Sequence, residues 1–187
     1  MEILYSHPLS KIIFKVVYVA RNPKDTAVSL FHHNVQTPVC GFVGTFEEFM
    51  EIFQEGFRAF GSYWHHLLGA WRLRSHPNIK FLWFEDMKTD MRFNVDELCG
   101  FLDHSLDNDQ IGRLCEHVKF QNMKENPHAK PVVGLQRRPE ENFQRKGEVG
   151  DWRNYFDEEK SESLNQWILE HISGTGLEEI AHFQLND

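Results

Sequence analysis

Apolar residues run almost unbroken from Ile12 to Ala20 (IIFKVVYVA), with only Lys15 interrupting. The β-branched and aromatic density predicts a strand buried on both faces, as in a parallel sheet. Arg21 and Asn22 end it, and the pattern turns helical from Pro23 to about Asn34, with Ala27, Leu30 and Phe31 facing inward. Asn22 is placed to cap that helix, with Pro23 at its first position and Asp25 in its first turn. Thr45 and Glu48 form a capping-box pair. They open a helical stretch to about Arg74, broken near Gly56 or Gly61, whose Phe46, Phe49, Phe53, Phe57 and Phe60 recur at core-facing spacing. Ile79 to Phe84 predicts a second strand. Amphipathic helices are expected over 86–102, 108–118 and 157–172, with a short one over 121–125.

The segment from Asn126 to Gly150 has no periodicity, and it carries Pro127, Pro131, Pro139, Gly134, Gly147, Gly150 and five cations. Structureless segments this long are usually functional or disordered. Strands alternating with helices predict an α/β fold with a parallel sheet flanked by helices. Two strands make too small a sheet to cover its own edges. The expectation is a single partial domain over 1–187, with a portion of the sheet missing on the N-terminal side.

Composition narrows the function classes. The 187 residues are 41% hydrophobic and 26% charged, with sixteen phenylalanines and five tryptophans for a core. A net charge of −8 argues against general nucleic-acid binding, while leaving room for a local basic pocket. Cys40, Cys99 and Cys115 have neither metal-finger nor redox spacing and predict reduced thiols. The chain shows no Asn-x-Ser/Thr sequon, no signal-peptide start and no apolar run of membrane-spanning length. A soluble cytoplasmic protein without a metal site is expected. His32-His33 and His65-His66 are neighbours on helices and point apart, and no His-Glu-x-x-His pattern occurs. Glu85-Asp86 reads as a helix cap and a solvated charge.

Two places suit an anion. Arg21 stands where the first strand ends, which is where open α/β sheets bind ligands, next to the free N–H groups of a helix start. Ser29 shares a helical face with Thr26 and Asn22. Far downstream, Arg145-Lys146-Gly147-Glu148-Val149-Gly150-Asp151-Trp152 joins two cations to a glycine that permits close backbone approach. Taken singly, an ordinary capped helix and a solvated basic turn are the better explanations of these two segments.

In order and spacing, four segments resemble cytosolic sulfotransferases. Val17-Tyr18-Val19-Ala20-Arg21-Asn22-Pro23-Lys24-Asp25, followed by Val28-Ser29, is similar to that family's 3′-phosphate segment. Phe84-Glu85-Asp86-Met87 is similar to its aromatic-Glu-Asp element, and Phe120 to Pro127 (FQNMKENP) to its Phe-x-x-Met-Lys-x-Asn-Pro element. Arg145-Lys146-Gly147 with Gly150-Asp151-Trp152-Arg153-Asn154 resembles its C-terminal signature.

The resemblance implies a P-loop-like sulfotransferase fold. It also implies transfer of a sulfuryl group from 3′-phosphoadenosine 5′-phosphosulfate (PAPS) to a hydroxyl or amine of a small molecule, leaving 3′-phosphoadenosine 5′-phosphate (PAP). By that resemblance Arg21 and Ser29 hold the 3′-phosphate from one side, and Arg145, Lys146 and Gly147 from the other. Phe84, Phe120, Met123 and Phe143 line the adenine region. His7, within Tyr5-Ser6-His7-Pro8, partly matches the element that carries the family's catalytic base; the alternative is a terminal histidine with no role.

The departures are specific. No Lys-Ser-Gly-Thr-Thr-type phosphosulfate loop occurs in these residues, and Phe84 stands where tyrosine is usual. Asp157 and Glu158 replace the Thr-Val pair of the family's dimer motif, so dimerisation by that route is not expected. The alternative function is a non-catalytic remnant that binds the 3′-phosphoadenosine nucleotide. A helical interaction module without a ligand would leave both anion segments as coincidences.

Overall fold

The computed structural model describes residues 12–37, 40–56, 61–129 and 144–183. Two strands, β1 (Val16–Ala20) and β2 (Ile79–Trp83), pair in parallel, with Val16 opposite Ile79 and Ala20 opposite Trp83. The first strand is shorter than expected. Its partner begins only at Ile79, so Ile12 to Lys15 have no ladder to join.

The expected burial on both faces of β1 is not observed. Tyr18 and Ala20 meet the core, whereas Val17 and Val19 on the other face are 39% and 48% exposed. Among the described residues β1 has a neighbour on one edge only. The second strand is better covered. Trp83 and Phe81 face the aromatic core, and Leu82 is buried on the opposite side, where α5 (Met91–Phe101) packs against β2.

The helices follow their local signals closely. The first, α1 (Pro23–Gln36), is capped by Asn22, whose side chain accepts the Lys24 N–H at 2.9 Å. In α2 (Phe46–Glu55) both halves of the Thr45–Glu48 capping box are formed, and Gly56 closes the helix at φ 77°. The next helix, α3 (Tyr63–Arg72), starts afresh after Ser62, so the expected break near Gly56 and Gly61 is present.

The single helix expected over 86–102 is instead two, α4 (Phe84–Thr89) and α5. Asp90 leaves helical geometry at φ −138° and caps α5 by accepting the Phe93 N–H at 2.9 Å. A helix cap formed mid-segment outweighed continuous periodicity. Three more follow: α6 (Asn108–His117), α7 (Phe120–Glu125) and α8 (Glu158–Ile172). A 3-10 turn at Asp151–Asn154 precedes α8.

The core lies between the sheet and α1, α2, α3 and α8. Phe49, Phe53, Trp64, Leu67, Ile168 and Ile172 are buried there, and Trp83 and Phe183 close one end. Full burial of such a side chain contributes about 1.5–3 kcal/mol. The Phe31–Phe46, Phe31–Phe49 and Phe42–Phe49 rings meet edge-on with centroids 5.3–5.6 Å apart, a favourable quadrupole geometry. Phe49 and Phe53 are therefore core residues, as their spacing predicted. This packing fixes the carboxyl end of β1 and the start of α1, where the site is built. Cys40, Cys99 and Cys115 are free and half-buried. Among the described residues no helix is long and apolar enough to cross a membrane, and no cluster of His, Cys, Asp and Glu is placed to hold a metal ion.

Candidate functional site

A cavity of about 850 Å³ opens at the carboxyl end of β1. One wall is the start of α1, with Arg21, Thr26 and Ser29; the facing wall is the segment Gln144 to Glu148. Arg145, Lys146 and Gly147 thus stand on the same cavity as Arg21 and Ser29, although more than a hundred residues separate the two walls in sequence. Phe84, Phe120 and Met123 line it as well. His7 and Phe143 lie outside the described residues.

Arg21 is clamped from several directions. Its Nη2 donates to the Glu148 carbonyl at 2.8 Å and lies 3.7 Å from Asp25 Oδ2, and the guanidinium stacks over the Phe84 ring at 4.4 Å. The Arg21 carbonyl accepts a hydrogen bond from Tyr63 Oη at 2.7 Å. Burial lowers the Arg21 pKa, opposed by the charges of Asp25 and Glu85. Arg21 Nε is buried without a hydrogen-bond partner among the described residues. A buried guanidinium with a spare donor beside a cavity suits an incoming anion.

The opposite wall carries its own counter-ion. Asp151 is buried and accepts from Lys146 Nζ at 2.5 Å, from Arg145 Nη2, and from Asn154 Nδ2 at 2.8 Å. Burial pushes its carboxyl up, but these hydrogen bonds outweigh that and bring the pKa down to about 2. Both cations are thereby held in a defined orientation. Gly147 adopts φ 66°, and a Cβ there would overlap the Phe120 ring, so glycine meets both a backbone and a steric requirement.

Sequence reasoning missed the acidic frame beneath this site. Asp25 was legible only as a first-turn carboxylate, yet it is 1% exposed and accepts two N–H groups from the far loop. Glu85 is neither a cap nor solvated: it is buried, and its Oε1 accepts the Asn22 N–H at 2.8 Å. That bond joins α4 to the α1 cap at the strand ends, where no exposed helix terminus needs the carboxylate. Asp86 is the exposed member, paired with His182 at 2.9 Å. Beyond the first-turn position of Asp25, place inside the recognised motifs was the only sequence signal for Asp25, Glu85 and Asp151.

The histidine pairs divide unevenly. His66 lines the cavity and shares a 2.9 Å hydrogen bond with Tyr18 Oη, while His65 is exposed outside it. His32 and His33 both reach its lining. Burial pushes the Tyr18 hydroxyl up to about 12, so it is a neutral hydrogen-bonding group at ordinary pH.

Comparison with known proteins agrees with this architecture. Residues 4–176 match the family model described as the sulfotransferase domain. Sulfotransferase 1B1 of Mus musculus is 34% identical over 167 residues, covering 88% of this chain and 56% of that protein. Luciferin sulfotransferase of Photinus pyralis is 33% identical over 181 residues, covering 92% and 48%. Among solved structures, retinol dehydratase in complex with androsterone and inactive cofactor PAP superimposes with a TM-score of 0.79 at 36% identity, over 86% of this chain and 48% of that one. Mouse sulfotransferase SULT7A1 complexed with PAP gives 0.79 at 28% identity, over 90% and 63%. The chain spans about half the length of the curated relatives it matches. Its four motifs, its parallel strand pair with flanking helices and these matches make it a member of the sulfotransferase family.

Proposed function

We propose that the cavity binds the 3′-phosphoadenosine end of PAPS and of its product PAP, in a sulfotransferase acting on a hydroxyl or amine of a small molecule. The observation that carries this reading is the convergence of Arg21 and Ser29 with Arg145, Lys146 and Gly147 on one cavity. The residues suit the group. Arg21 keeps a buried donor without a partner, and the opposite wall offers two more cations beside a glycine backbone that a ligand can approach.

Arg21 and Ser29 would hold the 3′-phosphate from the α1 side, and Arg145, Lys146 and the Gly147 backbone from the other. Phe84, Phe120 and Met123 would lie against adenine, and the family resemblance assigns Phe143 the same role. PAPS, when bound, supplies the sulfuryl group. His7 is the candidate to take the acceptor's proton, since neutral imidazole is a competent base near neutral pH. Charge-assisted hydrogen bonds contribute about 1.5–3 kcal/mol each, so several converging on one phosphate give useful affinity.

The same reading takes the 187 residues as one partial domain. It places the protein in the cytosol, in keeping with three free cysteines, and without nucleic-acid partners. Dimerisation through the usual motif is not part of it. A second reading, nucleotide binding without turnover, uses the same cavity and the same 3′-phosphate groups.

Titration calorimetry with PAP and with adenosine 5′-monophosphate, which lacks the 3′-phosphate, tests the proposal. The expected result is binding of PAP at least about tenfold tighter, the equivalent of about 1.4 kcal/mol. Equal affinities would reject a 3′-phosphate site. Incubation with PAPS and a phenol then separates the two readings: sulfated product supports the enzyme, and PAP binding without product supports the remnant.

A further inference from the structure

Asp25 does not line the main cavity, yet it joins the two walls that do. We infer that Asp25 is a positioning residue, which sets the placement of the Arg145–Gly147 arm against the start of α1; its functional consequence rests on the nucleotide reading above.

The geometry is two-pronged. Asp25 Oδ2 accepts the Gly150 N–H at 2.7 Å and Oδ1 accepts the Trp152 N–H at 3.0 Å. Two bonds from one carboxylate fix both the distance and the rotation of the loop on the helix, which a single bond would not. The residue between those two amides is Asp151, whose carboxylate gathers Lys146 at 2.5 Å together with Arg145. The path from α1 to the cations is therefore short and made of polar contacts: Asp25, the amides of Gly150 and Trp152, the Asp151 side chain, then Arg145 and Lys146. Arg21 adds a second strap, since its Nη2 lies 3.7 Å from Asp25 and donates to the Glu148 carbonyl at 2.8 Å.

Simpler roles do not fit Asp25. The cap of α1 is Asn22, so Asp25 is not needed to close the helix start. At 1% exposure it does not line the main cavity, so it is not placed to touch a molecule there. A buried carboxylate is costly unless hydrogen-bonded, and its partners here belong to the loop and to Arg21. The loop is equally dependent. Gly150 sits at φ 82°, and without Asp25 its part-buried amide and that of Trp152 lose the carboxylate they donate to.

The test uses Asp25→Asn and Asp25→Glu, with PAP and adenosine 5′-monophosphate as probes in titration calorimetry. Asparagine keeps the size but turns an NH2 group toward one of the two amides; glutamate keeps the charge but displaces the loop. The expected result is that the preference for PAP over the monophosphate falls by about tenfold or more, while affinity for the monophosphate changes by less than about twofold. In an Arg145→Ala background the same Asp25 substitution should have a smaller further effect, because part of its action passes through Arg145. A folded Asp25→Asn protein with an unchanged preference overturns the inference, as does a penalty that persists undiminished without Arg145. Should neither variant fold, amide hydrogen exchange on the wild-type chain decides the tether. Protection at Gly150 and Trp152 matching that of α1 supports it, and exchange at unprotected rates overturns it. A wild-type chain without any preference for PAP overturns the nucleotide reading and the functional part of this inference, while the exchange experiment still decides the tether itself.

Discussion

The Lys146 ammonium donates a hydrogen bond to Asp151 Oδ1 at 2.5 Å, which holds a cation of the candidate phosphate site on a buried carboxylate of the same loop. On the proposed function, phosphate recognition by Lys146 and Arg145 would begin from oriented side chains. The entropy of ordering two long cationic chains is already met in folding.

The Asp151 pair makes stability pH-dependent. The folded carboxyl titrates at about 2, against about 3.9 in an unfolded chain. Its pKa is depressed on folding, so the contribution is fully present above about pH 5 and is lost as pH falls toward the folded value. The shift corresponds to between about 2 and 3 kcal/mol. Urea melts of the wild type and Asp151→Asn should differ by about that much at neutral pH and converge near pH 2. A gap that stays constant with pH would show that charge on Asp151 is not its source.

Gly147→Ala should destabilise the chain by about 2 kcal/mol or more. The left-handed backbone alone costs about 1–2 kcal/mol for a residue with a Cβ, and the new methyl would overlap the Phe120 ring. Phe120→Ala in the same chain should recover the steric part and leave the backbone part. A double-mutant cycle by urea denaturation reads this directly, and additivity within about 0.5 kcal/mol would rule out the ring as the cause.

Arg145→Ala should weaken PAP binding by about ten- to a hundredfold, the worth of one charge-assisted hydrogen bond. Binding of adenosine 5′-monophosphate should barely change. The variant also removes one of three donors to Asp151, so the carboxyl should titrate above its present value of about 2. Carboxyl chemical shifts followed through an acid titration would show the rise. An unchanged PAP isotherm would take Arg145 out of the site.

Tyr18 and Tyr63 should both ionise late. Burial raises Tyr18 to about 12 and holds Tyr63 well above the ordinary phenol range, with the Tyr18 and Glu85 charges adding to the effect. Each is raised on folding, so its contribution is complete below about pH 10, where an unfolded phenol titrates, and is lost as pH rises through the folded value. Alkaline titration of phenolate absorbance should show a late phase that shrinks in Tyr18→Phe. That variant should also lose less stability than the wild type between about pH 10 and 12. Loss of the full late phase at pH 10 in the wild type would contradict the buried placement.

Local patterns were sufficient for most elements. The cap at Asn22, the Thr45–Glu48 box and the run of phenylalanines around Phe49 each act within a turn or two of the chain, so they are legible in sequence. The motif residues, too, could be picked out one segment at a time by resemblance. What the sequence could not decide was the splitting of 86–102 at Asp90, which turns on one cap competing with an unbroken periodicity. It also could not decide the coverage of β1, because exposure of Val17 and Val19 depends on which elements stand beside the strand.

The sequence by itself determined where most of the helices form, where Arg21 and the Arg145–Lys146 pair stand along the chain, and that they belong to the motifs of one family. Only the tertiary structure decided that these cations share a cavity, that Glu85 is buried against the Asn22 amide, and that Asp25 carries the loop beyond them. The reason lies in range and desolvation. The bonds from Gly150 and Trp152 to Asp25 span 125 and 127 residues and leave no periodic trace. Whether a carboxylate is a solvated charge or a buried anchor depends on what packs over it, which no local run of residues encodes.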